Sequence, residues 1–297
     1  MPLFIESCRW NPSIDWLLFA DHEVPGGTPP NVRRIPSTFI AYQQRIGDLL
    51  GVKVRWNDFY KLHEAKPMTG VLHAEELQQY DYFGWSDIDV IYGNIRAIYD
   101  ERTLSHLVVS PHEDRVAGHF TLIRNTTEGR ELYAEVPGWR DYVMADDYRG
   151  FEEYAFSRLF LGPWPGHRWR TRGWAPFMPR WWKSQFKEQY STPFNSRPWL
   201  DGTWNHPKEW YWQNGSLTND RDGAREFLYL HFMNYKGGRY RCPRFGSAAP
   251  WEKLRRLVQM DGGEITRGFR IGDAGFAPLH PAHNHDAPFL NLPRDIT

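Results

Sequence analysis

Alternating strand-like and helix-like segments predict an α/β fold with a mixed, mostly parallel sheet flanked by helices on both faces. Three observations carry this expectation. An apolar run at 14–20 (IDWLLFA) is followed by a helical pattern at 38–50 (TFIAYQQRIGDLL). A second apolar run at 82–92 (YFGWSDIDVIY) leads into an acidic turn and a helical stretch around 94–100. Strand-like runs at 106–110 and 119–123 then precede a helix at 151–160.

Each element has a local reason. Residues 14–20 read as a short buried strand ending at Asp21, and the Pro- and Gly-rich 22–30 as a loop. Residues 31–35 read as a second strand. In 38–50 the apolar residues recur at helical spacing, with Thr38 near the start and Gly51 just past the end. A further helix is expected at 73–80 (HAEELQQY). Beyond 160 the texture changes. Residues 161–187 hold no acidic residue, but six basic ones are interleaved with Trp164, Trp169, Trp174, Trp181 and Trp182. Pro163, Pro165, Pro176 and Pro179 argue against a regular helix before 180. Strand-like runs return at 209–213 and 226–233, and a Gly-, Pro- and His-rich tail from 262 is expected to wrap the surface. The whole chain, 1–297, reads as a single domain, with 161–208 as an insertion and 262–297 as an irregular tail.

Composition excludes several classes. Lys+Arg and Asp+Glu both number 36, so the net charge is zero and a globally basic nucleic-acid binder is disfavoured. The two cysteines, Cys8 and Cys242, match no metal or redox spacing, which suits a reducing, cytoplasmic location. No signal peptide is evident at the N-terminus, and no apolar stretch approaches the ~20 residues of a membrane span. The 15 Trp, 15 Tyr and 18 Phe offer flat apolar faces with polar edges, suited to sugar rings, bases, membrane interfaces or an aromatic core.

Asp87-Ile88-Asp89, after the run Tyr82-Phe83-Gly84-Trp85, is the strongest chemical signal. Residues i and i+2 of a strand point to one side, and two carboxylates there can hold a hard divalent cation that also takes phosphate oxygens. Such an ion neutralises a diphosphate leaving group. A D-x-D pair alone equally fits a solvated or capping role; its place between a buried strand and Gly93 favours the metal.

The block FGWSDIDVIYGNIR, 83–96, resembles a family of bacterial GT-A-like (Rossmann-like) glycosyltransferases associated with polysaccharide biosynthesis. Residues 6–21, Asn31-Val32, Tyr60-Lys61-Leu62 with Lys66-Pro67, 118–126 (GHFTLIRNT) and Leu230-His231-Phe232 with Lys236 extend the resemblance over roughly 6 to 240. It implies Asp87, Asp89 and His231 as ligands of manganese or magnesium, with Asp87 also facing the donor. It implies Lys236 at the diphosphate, and Lys66 beside a phosphate or as a surface lysine. Gly118 and His119 would line the sugar pocket, and Asn125 would bind an acceptor hydroxyl or shape a turn. His231 equally suits a buried core position between aromatics. Glu152 and Glu153 stand where the family carries an acidic pair, one of them facing the site as proton acceptor. The family begins with a strand and loop that hold the nucleotide, whereas Met1 falls level with the family's first helix.

The implied activity is sugar transfer from a nucleotide-sugar, a UDP-sugar above others, to a glycan or lipid-linked acceptor. The Trp/Arg segment then reads as an acceptor lid containing Trp174, though it also suits a peripheral membrane contact, a single-stranded nucleic acid or a solvated insertion. Two rivals stand beside it: a metal-dependent nucleotidyltransferase or phosphohydrolase with the same acidic site, and a degenerate transferase fold that binds glycans through its aromatics without metal. His280, His283 and His285 match no zinc pattern and read as a solvated tail.

Overall fold

The computed structural model describes residues 1–24, 27–190, 198–232, 262–272 and 275–279. Helix α1 (Pro2–Arg9) leads to β1 (Trp16–Ala20), which pairs in parallel with β2 (Val32–Pro36), Trp16 opposite Val32. Helix α2 (Phe39–Leu50) starts where Thr38 accepts a hydrogen bond from the Ala41 amide and stops at left-handed Gly51. A 3-10 stretch (Phe59–Met68) and α3 (Thr69–Leu72) carry the chain to β3 (Tyr82–Ser86). The helix expected at 73–80 is instead a run of turns. Tyr80 and Asp81 give their carbonyls to Asn125, which takes the chain out of helical register.

After the acidic turn come β4 (Val90–Tyr92), α4 (Ile95–Ile98), β5 (Val108–Ser110) and β6 (Phe120–Arg124). Short helices α5 (Thr127–Glu131) and α6 (Trp139–Met144) cover this layer. The expected helix at 151–160 divides into a π-turn (Phe151–Ala155) and α7 (Arg158–Leu161). Helix α8 (Arg168–Trp174) contradicts the expectation of no regular helix before 180: the prolines flank it rather than interrupt it. Then follow β7 (Gln185–Phe186), β8 (Trp210–Gln213), β9 (Ser216–Asn219) and β10 (Tyr229–His231). Residues 262–272 and 275–279 are not irregular. They form α9 (Gly262–Arg267) and a hairpin of β11 (Phe269–Gly272) with β12 (Gly275–Pro278).

The fold is mixed α/β, but the expectation of a mostly parallel sheet is overturned. The described strands form four sheets, ordered β1-β2, β10-β4, β12-β11-β8-β9 and β3-β6-β5-β7. Only β1/β2 and β5/β7 pair in parallel; the other pairings are antiparallel. Parallel neighbours need long crossovers, whereas the connections here are often tight. Asn214-Gly215, both at positive φ, make the two-residue turn that joins β8 to β9.

One aromatic cluster ties the first half of the chain to β10. Trp16, Phe120 and Tyr229 pack around Tyr92, with centroids 5.6, 5.3 and 6.3 Å from its ring. Buried tryptophans keep their indole N–H satisfied: Trp85 donates to Ala117 and Trp212 to Tyr92. A cavity of about 820 Å³ runs between β1 and β3 and is lined by every residue of both. Among the described residues neither strand has a partner on that edge. Lys66, Ser86 and Ile88 line the same cavity and carry it toward the acidic turn.

Gly93 lets the end of β4 meet the segment just before β10. A Cβ there would lie 2.2 Å from the Phe227 carbonyl oxygen, and the Gly93 amide donates to Leu228. Gly93→Ala therefore forces backbone apart, and we expect a loss of about 1–3 kcal/mol, read as a lowered urea midpoint at unchanged slope. An unchanged midpoint would show that the contact is slack.

Candidate metal centre

The three-residue strand β4 brings distant parts of the chain together. It pairs antiparallel with β10, Val90 opposite His231, and the Phe232 amide donates to the Asp89 carbonyl at 3.0 Å. The acidic turn is held on its other side by the Asp87 amide, which donates to the His119 carbonyl at 3.0 Å. Asp87 and Asp89 thus lie in the turn between β3 and β4, not within a strand as the i, i+2 argument assumed. They converge because the turn is pinned at both ends, while Ile88 between them points outward, 49% exposed.

Ligand atoms of Asp87, Asp89 and His231 all lie within 4.8 Å of one another. His231 Nε2 is 3.5 Å from an Asp89 carboxylate oxygen, and both side chains are buried. Two carboxylates and an imidazole form a donor set that fits manganese or magnesium, with sides left for phosphate or water. The geometry suits a shared ion: buried carboxylates are costly without a compensating charge. Lys66 supplies part of that charge. Its ammonium lies 2.5 Å from Asp87 and 2.6 Å from the Gly118 carbonyl.

His119 does not line an open pocket. Its ring is buried, donates or accepts at 2.6 Å with the Tyr229 hydroxyl, and stacks on His231 at 4.2 Å and 26°. Burial first, and then the neighbouring His231 and His112, hold it well below the usual imidazole range, so it stays neutral. It acts as a backstop for His231, whose Nδ1 finds no hydrogen-bond partner among the described residues.

Glu152 and Glu153 sit on the π-turn, and both reach Gly118. A Cβ on Gly118 would lie 3.0 Å from a Glu153 oxygen and 3.4 Å from a Glu152 oxygen. The expectation that only one faces the site rested on α-helical spacing, and the wider π-turn removes it. Glu153 accepts from the Gly118 amide at 3.2 Å. Glu152 accepts from the Tyr148 hydroxyl at 2.9 Å and lies 3.8 Å from His63, while its second oxygen has no partner. Burial pushes the Glu152 carboxyl up to about 8 against the pull of Lys66. Burial likewise pushes His63 down to about 4.

The ledge carrying these glutamates is fixed from below. Buried Lys61 donates to the Tyr142 and Asp147 carbonyls at 2.8 and 2.9 Å. Buried Glu64 accepts from the Arg149 and Phe151 amides and lies 3.7 Å from the Lys61 ammonium. Tyr60, His63 and Tyr148 form an aromatic cluster at this rim, with Tyr60 centroids 4.5 Å from His63 and 4.8 Å from Tyr148. Tyr60 entered the sequence reading only as part of the resemblance, with no role, and His63 and Tyr148 carry no spacing that marks them; the 3-10 stretch places 60 and 63 beside 148.

The two residues expected at the acceptor have different surroundings. Asn125 gives its amide to the Leu77 and Tyr80 carbonyls and takes Arg130, so its polar groups are spent in a turn. It also follows the end of β6 opposite Tyr82, away from the acidic turn. Trp174 ends α8 half-exposed, packed on Gly162. Lys236 and His280, His283 and His285 lie outside the described residues.

Together these features define a mixed α/β protein with a candidate divalent-cation site at a strand-to-strand turn. The chain belongs to a family of unknown function, DUF6625, whose model matches residues 1–242. No curated protein matches it, and no solved structure does.

The raised Glu152 carboxyl has a signed consequence. From its ordinary value of 4.5 up to about 8 the folded state holds a proton that the unfolded state has lost. Stability from this group is therefore full below pH 4.5 and is lost as pH rises through 8. The depressed histidines act in the opposite sense but only below their ordinary 6.5. Between pH 6.5 and 8 we expect the melting temperature of the wild type to fall more than that of Glu152→Gln. Parallel curves would show that Glu152 is ionised throughout.

Proposed function

We propose that this protein is a metal-dependent glycosyltransferase of GT-A type, which moves a sugar from a nucleoside-diphosphate sugar, UDP-linked above others, to a hydroxyl-bearing acceptor. The observation that carries the reading is the convergence of Asp87, Asp89 and His231. These residues would hold manganese or magnesium. When bound, the ion neutralises the diphosphate as the sugar C1–O bond breaks.

The chain's own groups divide the remaining work. The Lys66 ammonium, now on Asp87, is placed to turn toward a phosphate as a point charge. The family resemblance assigns the same task to Lys236, which lies outside the described residues. The cavity between β1 and β3 opens beside Lys66, Ser86 and Ile88, and its apolar walls suit a nucleoside there. On the opposite side, Glu152 and Glu153 face Gly118, where an acceptor hydroxyl would give up its proton as the new C1–O bond forms. Burial raises the Glu152 carboxyl to about 8, so its ionised fraction is a stronger base for that transfer and grows as pH rises toward 8. Tyr60 and Tyr148 offer ring faces to a sugar at the same rim.

Calorimetric titration of UDP, with and without manganese, tests the reading on wild type and Asp89→Ala. We expect binding that requires manganese and weakens at least about tenfold in the variant. Equal binding in all arms, or none in any, would overturn it.

A further inference from the structure

The segment around α8 presents aromatic side chains to solvent on a folded support. Trp169 is 76%, Phe177 79% and Trp182 73% exposed. Thr171 and Ala175 are buried on one side of this helical stretch. Trp169, Gly173 and Phe177 are two residues away from them in each direction, which places them on the opposite face. Trp182 is fixed beside Phe177 by its indole N–H, which donates to the Pro176 carbonyl at 3.1 Å. Trp181, by contrast, turns inward and stacks on Phe186, so the segment is anchored from beneath.

Its charge is one-sided. Residues 161–187 carry six basic residues and no acidic one. Three carboxylates from elsewhere meet four of the six: Glu113 pairs with Arg168 and Arg172, Glu135 with Arg180, and Glu128 with Lys183. Among the described residues, Arg170 and Lys187 form no ion pair. Arg170 lies over the Trp164 ring at 4.6 Å, and Lys187 is exposed. The patch therefore keeps a positive excess around protruding aromatic rings.

We propose that this face docks on an anionic phospholipid surface, with Trp169, Phe177 and Trp182 entering the interface and the basic residues facing the headgroups. Rings exposed by three-quarters stand clear of their neighbours, unlike those lining a sugar cleft, and Trp is favoured at the boundary between apolar chains and water. Basic residues flanking an apolar face are the pairing that anionic lipid selects. No described helix is long and apolar enough to cross a membrane, so contact here is peripheral. The patch is tied to the wall of the candidate site: the Gly166 amide donates to the Asp114 carbonyl at 2.8 Å, four residues before Gly118. The proposal stands independently of the transferase reading, since it requires neither metal nor nucleotide.

Flotation of the full chain with vesicles tests it. One set is equimolar phosphatidylglycerol and phosphatidylcholine, the other phosphatidylcholine alone. We expect flotation with the anionic vesicles, loss in high salt, and little with the neutral ones. The triple substitution Trp169→Ala, Phe177→Ala and Trp182→Ala should weaken binding at least about tenfold while the circular dichroism spectrum stays unchanged. Arg170→Glu with Lys187→Glu should remove the preference for anionic lipid. Failure to float with anionic vesicles, flotation unaltered by the triple substitution, or equal binding to neutral vesicles would each overturn the proposal. So would binding of the patch to soluble oligosaccharide without binding to vesicles.

Discussion

The short antiparallel pairing of β4 with β10 is the constraint on which the rest depends. It sets His231 opposite Val90 and lets the Phe232 amide clasp the Asp89 carbonyl. A three-residue ladder cannot hold two distant chain segments alone. The Tyr92 cluster behind it, with Trp16, Phe120 and Tyr229, supplies apolar burial on the other side. The absence of a Cβ at Gly93 allows the backbones to close. Slippage of this pairing by one residue would turn His231 away from the aspartates, because strand side chains alternate.

Around that junction the charges are arranged in opposition. Asp87 and Asp89 bring two carboxyl groups into the turn, and Lys66 reaches Asp87 and the Gly118 carbonyl from the 3-10 stretch. Across Gly118, Glu152 is kept protonated near neutral pH by burial, so the two acidic groups do not simply repel. The buried Lys61–Glu64 pair stands below and fixes the loop that leads into the π-turn. Burial thus shifts Glu152, His63 and His119 around this turn, the pattern expected where acid–base or metal chemistry is done.

How much of this could be read beforehand depended on locality. The α2 helix was legible because Thr38, the apolar spacing and Gly51 all act within one segment. The acidic pair was legible as a pair, but its geometry was not: a pinned turn, not strand alternation, brings the carboxylates together. His231 was legible only through resemblance, since nothing local distinguishes it from a core histidine. Antiparallel pairing was missed because strands of three to five residues carry no signal of their partners. Helix α8 was missed because prolines were counted across the whole segment, although none lies between 166 and 175. Asn125 allowed both an acceptor and a turn reading, because a polar residue in a turn satisfies backbone as readily as a ligand, and its hydrogen bonds take the turn.

The central claim is that one divalent cation is held by Asp87, Asp89 and His231. Electron paramagnetic resonance of manganese titrated into the protein, without nucleotide, measures this directly. The account predicts loss of the free-ion signal at one equivalent, abolished in Asp89→Ala and weakened in His231→Ala. A signal that stays at its free-ion amplitude, or a bound fraction indifferent to both substitutions, would contradict it.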